Sequence, residues 1–159
     1  MTRNTLVLLA AGGSAALLAA AFAFQHLGGL APCTLCLWQR WPHAAAVLLG
    51  VAALALPGRL LPVLGAGAAL ATAGIGAYHA GVERGWWEGP QACAGGAPVG
   101  AMSVEDLTAQ IMAAPLVRCD EVAWALGGIS MAGWNALASL ALAGVWLWAA
   151  MRAPAPRRA

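Results

Sequence analysis

The sequence predicts an all-α membrane protein: a four-transmembrane-helix bundle with a long outer loop that carries a short amphipathic helix. Three observations carry this. The 159 residues are 62% hydrophobic and 9% charged, with a mean hydropathy of +0.76, well outside the range of an ordinary soluble domain. The apolar residues gather in four long segments. The charges are sorted along the chain: all six acidic residues (Glu83, Glu88, Glu105, Asp106, Asp120, Glu121) fall between the third and fourth segments, while Arg3, Arg59, Arg152, Arg157 and Arg158 flank the opposite ends. By the positive-inside rule these arginines mark cytoplasmic ends, so both termini are cytoplasmic and the acidic loop lies outside. A net charge of +2, accounted for by topology, does not point to a nucleic-acid partner.

Residues 1–159 read as a single integral-membrane domain, with spans at about 6–26, 36–56, 60–80 and 131–150 and outer loops at 27–35 and 81–130. The first run, Leu6 to Phe24, has the length that crosses a hydrocarbon core. It is longer than the apolar region of a secretory signal, and further spans follow, which favours a retained helix. Gly12, Gly13, Ala15, Ala16 and Ala19 suit close helix packing.

The second run, Ala44 to Leu56, is too short to span alone, so its helix must start upstream, near Leu35 to Gln39. That puts Arg40 inside the helix near the interface. Pro42 reads either as a break that lines a site or as a harmless first-turn proline. Pro57-Gly58-Arg59 is a tight turn, and Leu60 to Tyr78 is the third span, ending at His79. An interfacial role is the plainer expectation for a lone histidine there. Trp86 and Trp87 read as an aromatic belt, as do Trp134, Trp146 and Trp148 around the fourth span, Met131 to Ala150. In the outer loop, Ser103-Val104-Glu105-Asp106 opens a short helix whose Val104, Leu107 and Ile111 share a face and which Pro115 ends. It is expected to lie on the membrane surface or on the top of the bundle.

Chemistry gathers at Pro32-Cys33-Thr34-Leu35-Cys36-Leu37-Trp38-Gln39-Arg40. On a helix Cys33, Cys36 and Arg40 fall at i, i+3 and i+7 and share one face. A guanidinium there favours thiolate over thiol, and an arginine near a bilayer is costly enough to report function. Two further cysteines, Cys93 and Cys119, bracket the loop-like stretch around Gly89-Pro90 and Gly95-Gly96. Three readings compete. As structural disulfides, Cys93–Cys119 would contribute about 3–4 kcal/mol, but Cys33–Cys36 closes almost no loop. A zinc site lacks its second C-x-x-C knuckle and has no use for the arginine. A two-pair electron relay accounts for one pair flush with the membrane and the other on a tether, and is the reading adopted; no metal is expected. The rival is a membrane scaffold whose cysteines are only structural.

Pro32-Cys33 to Arg40-Trp41-Pro42, Tyr78-His79-Ala80-Gly81, and Cys119-Asp120-Glu121 through Ser130-Met131-Ala132-Gly133-Trp134-Asn135 resemble the DsbB family over nearly the whole chain. In the vitamin K epoxide reductase family, a related four-helix design, the loop pair precedes the C-x-x-C; here it follows. The resemblance implies a protein-dithiol:quinone oxidoreductase of the bacterial inner membrane. Its partners would be a DsbA-like periplasmic thioredoxin-fold oxidase, membrane lipid and the quinone pool, and its cofactor ubiquinone or menaquinone. It implies redox roles for Cys33, Cys36, Cys93 and Cys119, with the partner attacking Cys93–Cys119 through Cys93, electrons passing to Cys33–Cys36, and Cys36 making a charge-transfer contact. Arg40, Cys36 and His79 would bind the quinone. Gln39 departs from those members that carry an acid before the arginine, which leaves the proton donor open.

Overall fold

The computed structural model describes residues 1–90, 103–105, 108 and 117–153. Four long helices make up most of it: α1 (Arg3–His26), α2 (Thr34–Ala55), α3 (Leu60–Glu83) and α4 (Met131–Met151). Each begins where the local sequence supplies a start. The Thr2 hydroxyl accepts from Thr5 N–H at 3.3 Å to cap α1, and Ser130 does the same for Gly133 N–H at 3.2 Å on α4. In α3, Pro62 falls in the first turn, where its missing N–H costs nothing. Between α2 and α3, Gly58 adopts φ +128°, which a side chain would resist.

The helices run up-down-up-down. α1 packs on α2 and α4, α3 packs on the same two, and the diagonal pair α1 and α3 barely touch. Arg3 Nη2 donates to Leu56 O at 3.0 Å and Gly58 O at 3.3 Å, tying the N-terminus to the α2–α3 turn. The start of α2 and the ends of α1 and α3 therefore share the opposite end of the bundle with the start of α4.

α1, α3 and α4 are long and apolar enough to cross a membrane. Gln39, Arg40 and His43 lie in the first half of α2 and lower its hydropathy. Large apolar side chains such as Leu8, Leu48, Val51, Leu60, Leu137 and Leu140 face outward, as expected where the surroundings are lipid. The core is built instead from small residues around one large ring: Ala10, Ala53, Ala66, Ala69, Ala143 and Ala149 cluster with Leu6, Val7 and Trp146.

Trp146 differs from the interfacial role expected of it. It is wholly buried, and its ring lies so close to Gly65 that a Cβ there would meet it at 2.7 Å. Trp148, two residues on, is the exposed member of that pair.

Of the two readings of Pro42 the first-turn one fails: it lies well inside α2, so the carbonyl of Trp38 has no i+4 amide to receive. One other feature differs from the sequence expectation. A two-stranded hairpin, β1 (Ala125–Leu126) and β2 (Ile129–Ser130), precedes α4. Its two-residue loop, Gly127-Gly128, has φ +59° and +78°, the positive values that a type I′ turn needs. Trp134 Nε1 donates to Leu126 O at 3.1 Å, and the Trp124 ring meets Phe24 of α1 at 5.5 Å, so the hairpin is pinned over the open end of the bundle. In the outer loop Val104, Glu105 and Thr108 are helical, with Thr108 Oγ1 donating to Val104 O at 2.7 Å. Leu107, Ile111 and Pro115, needed for the expected amphipathic face, lie outside the described residues.

Candidate active site

Cys33 is the N-cap of α2. Its sulfur accepts from Cys36 N–H at 3.3 Å, which explains why the helix starts at Thr34, just ahead of the sequence expectation. The two sulfurs are 3.2 Å apart and both cysteines are free. Cys33 is buried and Cys36 half-buried.

His79 is not an interfacial residue. It is 3% exposed and brings Nε2 to 3.5 Å from Cys33 Sγ. Cys119, fully buried and disulfide-bonded, completes the cluster: its sulfur, Cys33 Sγ and a His79 ring nitrogen all lie within 4.8 Å of one another. A disulfide sulfur has no thiolate to offer a metal, which leaves one thiol and one imidazole, fewer ligands than a zinc centre takes. Cys93 lies outside the described residues.

These contacts act on Cys33 in one direction. The hydrogen bond from the Cys36 thiol is the largest, burial opposes it, and His79 and the Cys36 amide add to it; together they bring the Cys33 thiol down to about 4. The N-terminus of α2 favours the same negative charge. When Cys33 ionises, the Cys36 S–H and the His79 Nε2–H are its donors. In this arrangement Cys33 is the better stabilised of the two as a thiolate.

Behind His79 runs a buried chain of side-chain hydrogen bonds across three helices. Gln39 Nε2 donates to Leu35 O at 3.1 Å and meets His79 Nδ1 at 3.1 Å. Asn135 Nδ2 donates to Gln39 Oε1 at 2.6 Å and to Thr72 Oγ1 at 3.2 Å, and Thr72 Oγ1 donates to Gln39 O at 3.2 Å. His43 Nε2 bonds Asn135 Oδ1 at 2.9 Å.

Two backbone carbonyls fix the sense of every link. Leu35 O can only accept, so the Gln39 amide nitrogen faces it and His79; His79 Nδ1 must then accept, and Nε2 carries the proton toward Cys33. Gly76 makes this possible, since a Cβ there would come within 3.2 Å of Gln39 Oε1 and 3.0 Å of Ala132 O. Gln39 thus orients the imidazole, a role its amide performs because it donates where a carboxylate could not.

The site opens on a cavity of about 420 Å³, lined mainly by apolar side chains of α1 and α4 and by Cys33, Cys36, Arg40, His43, His79 and Glu83. Three buried polar atoms on its wall have no hydrogen-bond partner among the described residues: Arg40 Nε, His43 Nδ1 and Glu83 Oε2. Arg40 is held by the Phe22 ring of α1, with Cζ 4.7 Å from the ring centroid. An apolar cleft with a few convergent polar groups fits a small, largely apolar ligand. A quinone ring meets that description: it needs hydrogen-bond donors for its carbonyl oxygens and an apolar wall for its tail.

The sequence reading thus brought Cys33, Cys36, Arg40 and His79 to one place, with Cys119 beside Cys33. It missed His43, Thr72 and Glu83, and noted Gln39 and Asn135 without a role. Spacing held some signal: His43 is i+7 from Cys36, and Glu83 is i+4 from His79.

The DsbB family profile, described as disulfide bond formation protein DsbB, matches residues 3–149. A protein of Polaromonas sp. (strain JS666) called "Disulfide bond formation protein B" is 31% identical over 160 aligned residues, covering 92% of this chain and 89% of the relative. No solved structure matches the chain.

Proposed function

This chain belongs to the DsbB family of membrane disulfide bond formation proteins, and from that membership we propose that it is a protein-dithiol:quinone oxidoreductase. It reoxidises a DsbA-like thioredoxin-fold partner in the periplasm and passes two electrons through Cys93–Cys119 and then Cys33–Cys36 to a membrane quinone, ubiquinone or menaquinone. The protein spans the inner membrane four times, both termini are cytoplasmic, and the redox cysteines face the periplasm. The contact of Arg3 with the α2–α3 turn supports a common side for those two arginine-bearing ends.

The observation that carries this reading is the position of Cys33 between two sulfurs: Cys36 Sγ at 3.2 Å and the disulfide sulfur of Cys119 within 4.8 Å. A thiolate that close to a disulfide is poised for exchange. A reduced loop thiolate attacks the Cys33–Cys36 disulfide at Cys33 and expels Cys36; in the reverse direction the Cys33 thiolate attacks the loop disulfide, with His79 Nε2–H stabilising its negative charge. With Cys33 engaged by the loop pair, Cys36 loses its sulfur partner and faces the cavity alone, which suits the charge-transfer role assigned to it. A bound quinone supplies the two-electron acceptor. Arg40 would hold it by donating to a carbonyl oxygen as negative charge develops there; His79, expected from the sequence to share that role, has both nitrogens engaged by Cys33 and Gln39 and would meet it only through its ring. The apolar wall excludes water from the same volume.

The test separates the two pairs. Cys93→Ser and Cys119→Ser should each stop reoxidation of the protein dithiol while Cys33–Cys36 still reacts with added quinone; Cys33→Ser and Cys36→Ser should abolish quinone reduction. Loop variants that keep full turnover with the protein dithiol would refute the order of the relay. Inert cysteines with no quinone reduction at all would favour a scaffold.

A further inference from the structure

The reduction of a disulfide and its reoxidation move two protons with two electrons, and the site as described accounts for one. Cys36 can carry a proton on sulfur. Cys33, surrounded by donors, is placed to remain a thiolate. Gln39, which bonds His79, has an amide that neither gives nor takes a proton near neutral pH.

Glu83 is the carboxyl group nearest this gap. It is the last residue of α3, one turn beyond His79, and its Oε1 lies 3.9 Å from His79 Nε2, the nitrogen that also faces Cys33. Its side chain is 6% exposed, it lines the cavity, and Oε2 is buried with no hydrogen-bond partner among the described residues. Among the described residues no arginine pairs with it, and the ion pairs of arginine there are those of Arg118 with Asp120 and Glu121. Burying a carboxylate oxygen with no donor to accept from is costly.

The geometry points to Glu83 as the second proton-carrying group of the site, a positioning residue that works through His79 at Cys33 and faces the ligand cavity with Oε2. This rests on the proposed oxidoreductase reading and deepens it. When two electrons from a protein dithiol break the Cys33–Cys36 bond, one proton goes to Cys36 Sγ. Cys33 stays a thiolate against His79 Nε2–H, and the second proton is held on the Glu83 carboxyl. When the S–S bond re-forms, two electrons leave to a membrane quinone, and the protons on Cys36 Sγ and Glu83 leave with them for its two oxygens.

The groups that face Glu83 are His79 from its own helix and Cys36 from α2; Cys33 and Arg40 of α2 line the same cavity. Farther round the cavity stand His43 of α2, and Arg118 and Glu121 from the segment before the hairpin. The walls from α1 and α4 contribute no titratable side chain.

The experiment uses the full chain in detergent, stripped of quinone, with Cys93→Ser and Cys119→Ser so that only the inner pair reports. Its midpoint potential is measured against a glutathione buffer from about pH 6 to 8 by trapping and mass. For a two-electron couple a tenfold change in equilibrium constant is about 30 mV, so each proton taken up contributes about 30 mV per pH unit. With Glu83 present the reduced pair takes up two protons and its potential falls by about 60 mV per pH unit, parallel to that of glutathione, so K against the glutathione couple does not change with pH. In Glu83→Gln, which keeps the shape, the slope falls to the one-proton value, about 30 mV per pH unit, and K against glutathione drifts about tenfold per pH unit; Glu83→Asp restores the two-proton slope. A two-proton slope in Glu83→Gln overturns the assignment, and so does a one-proton slope in the chain that retains Glu83, a result that does not depend on the variant folding. No quinone is present, so failure of the quinone reading shows only in the turnover assay and leaves this slope unchanged.

Discussion

His79 donates from Nε2 to Cys33 Sγ at 3.5 Å, and removing that donor is a direct test of how the thiolate is held. The perturbation is His79→Phe, which keeps a ring in a buried position but loses both nitrogens. A hydrogen bond to a charged group is worth about 1.5–3 kcal/mol, and one pKa unit is 1.36 kcal/mol, so the Cys33 thiol should rise by about one to two units. It starts from about 4, which leaves the variant near 5 to 6, still below the roughly 8.5 of an unperturbed thiol, because the Cys36 donors and the helix N-terminus remain.

The sign follows from which form reacts. Thiolate is the nucleophile, so alkylation is flat above the folded pKa and falls tenfold per pH unit beneath it. The His79→Phe profile should therefore leave its plateau at a higher pH than the native one. The assay is iodoacetamide alkylation followed by mass spectrometry, in a chain where Cys36→Ser, Cys93→Ser and Cys119→Ser leave Cys33 as its single cysteine. Serine preserves a hydroxyl donor at position 36. A native midpoint in the range of an ordinary thiol, or an unchanged midpoint in His79→Phe, would refute this account of the site.

Two other substitutions test the cavity and the core. Arg40→Ala removes the guanidinium that packs on Phe22 and should cost roughly ten- to a hundredfold in quinone turnover or affinity, while exchange with the protein dithiol stays near native. Arg40→Lys keeps charge without the planar fork and should fall between; native-like kinetics in both variants, read as turnover against quinone concentration, would remove Arg40 from the site. Gly65→Ala drives a methyl into the Trp146 ring, where a Cβ would meet ring atoms at 2.7 Å, and should destabilise by about 1–3 kcal/mol. A thermal-unfolding midpoint in detergent equal to that of the native protein would show that the α3–α4 contact relaxes without cost.

Much of the architecture was legible because it rests on composition and local pattern. Apolar run length sets the three long hydrophobic helices. The C-x-x-C spacing at the start of a helix puts Cys33, Cys36 and Arg40 on one face whatever else the chain does. The Gly127-Gly128 pair held a readable turn signal as well, although a two-residue strand offers too little periodicity to detect.

Tertiary structure decided the rest, because it depends on which groups from distant helices meet. Nothing local distinguishes an interfacial histidine from one buried 3.5 Å from a thiol; His79 is the second because α3 packs on the start of α2. Trp146 looks like a belt residue in sequence and becomes the centre of the core because Gly65 leaves room for its ring. Gln39 has no evident role on its own helix. Only with Asn135 at 2.6 Å on one side and His79 at 3.1 Å on the other does its amide acquire a purpose, and only the cavity shows that a carboxyl, Glu83, enters from a different helix. Pairwise hydrogen bonds between side chains forty to a hundred residues apart have no periodicity to betray them, so the chemistry at Cys33 is written in the spacing while its proton partners are written in the packing.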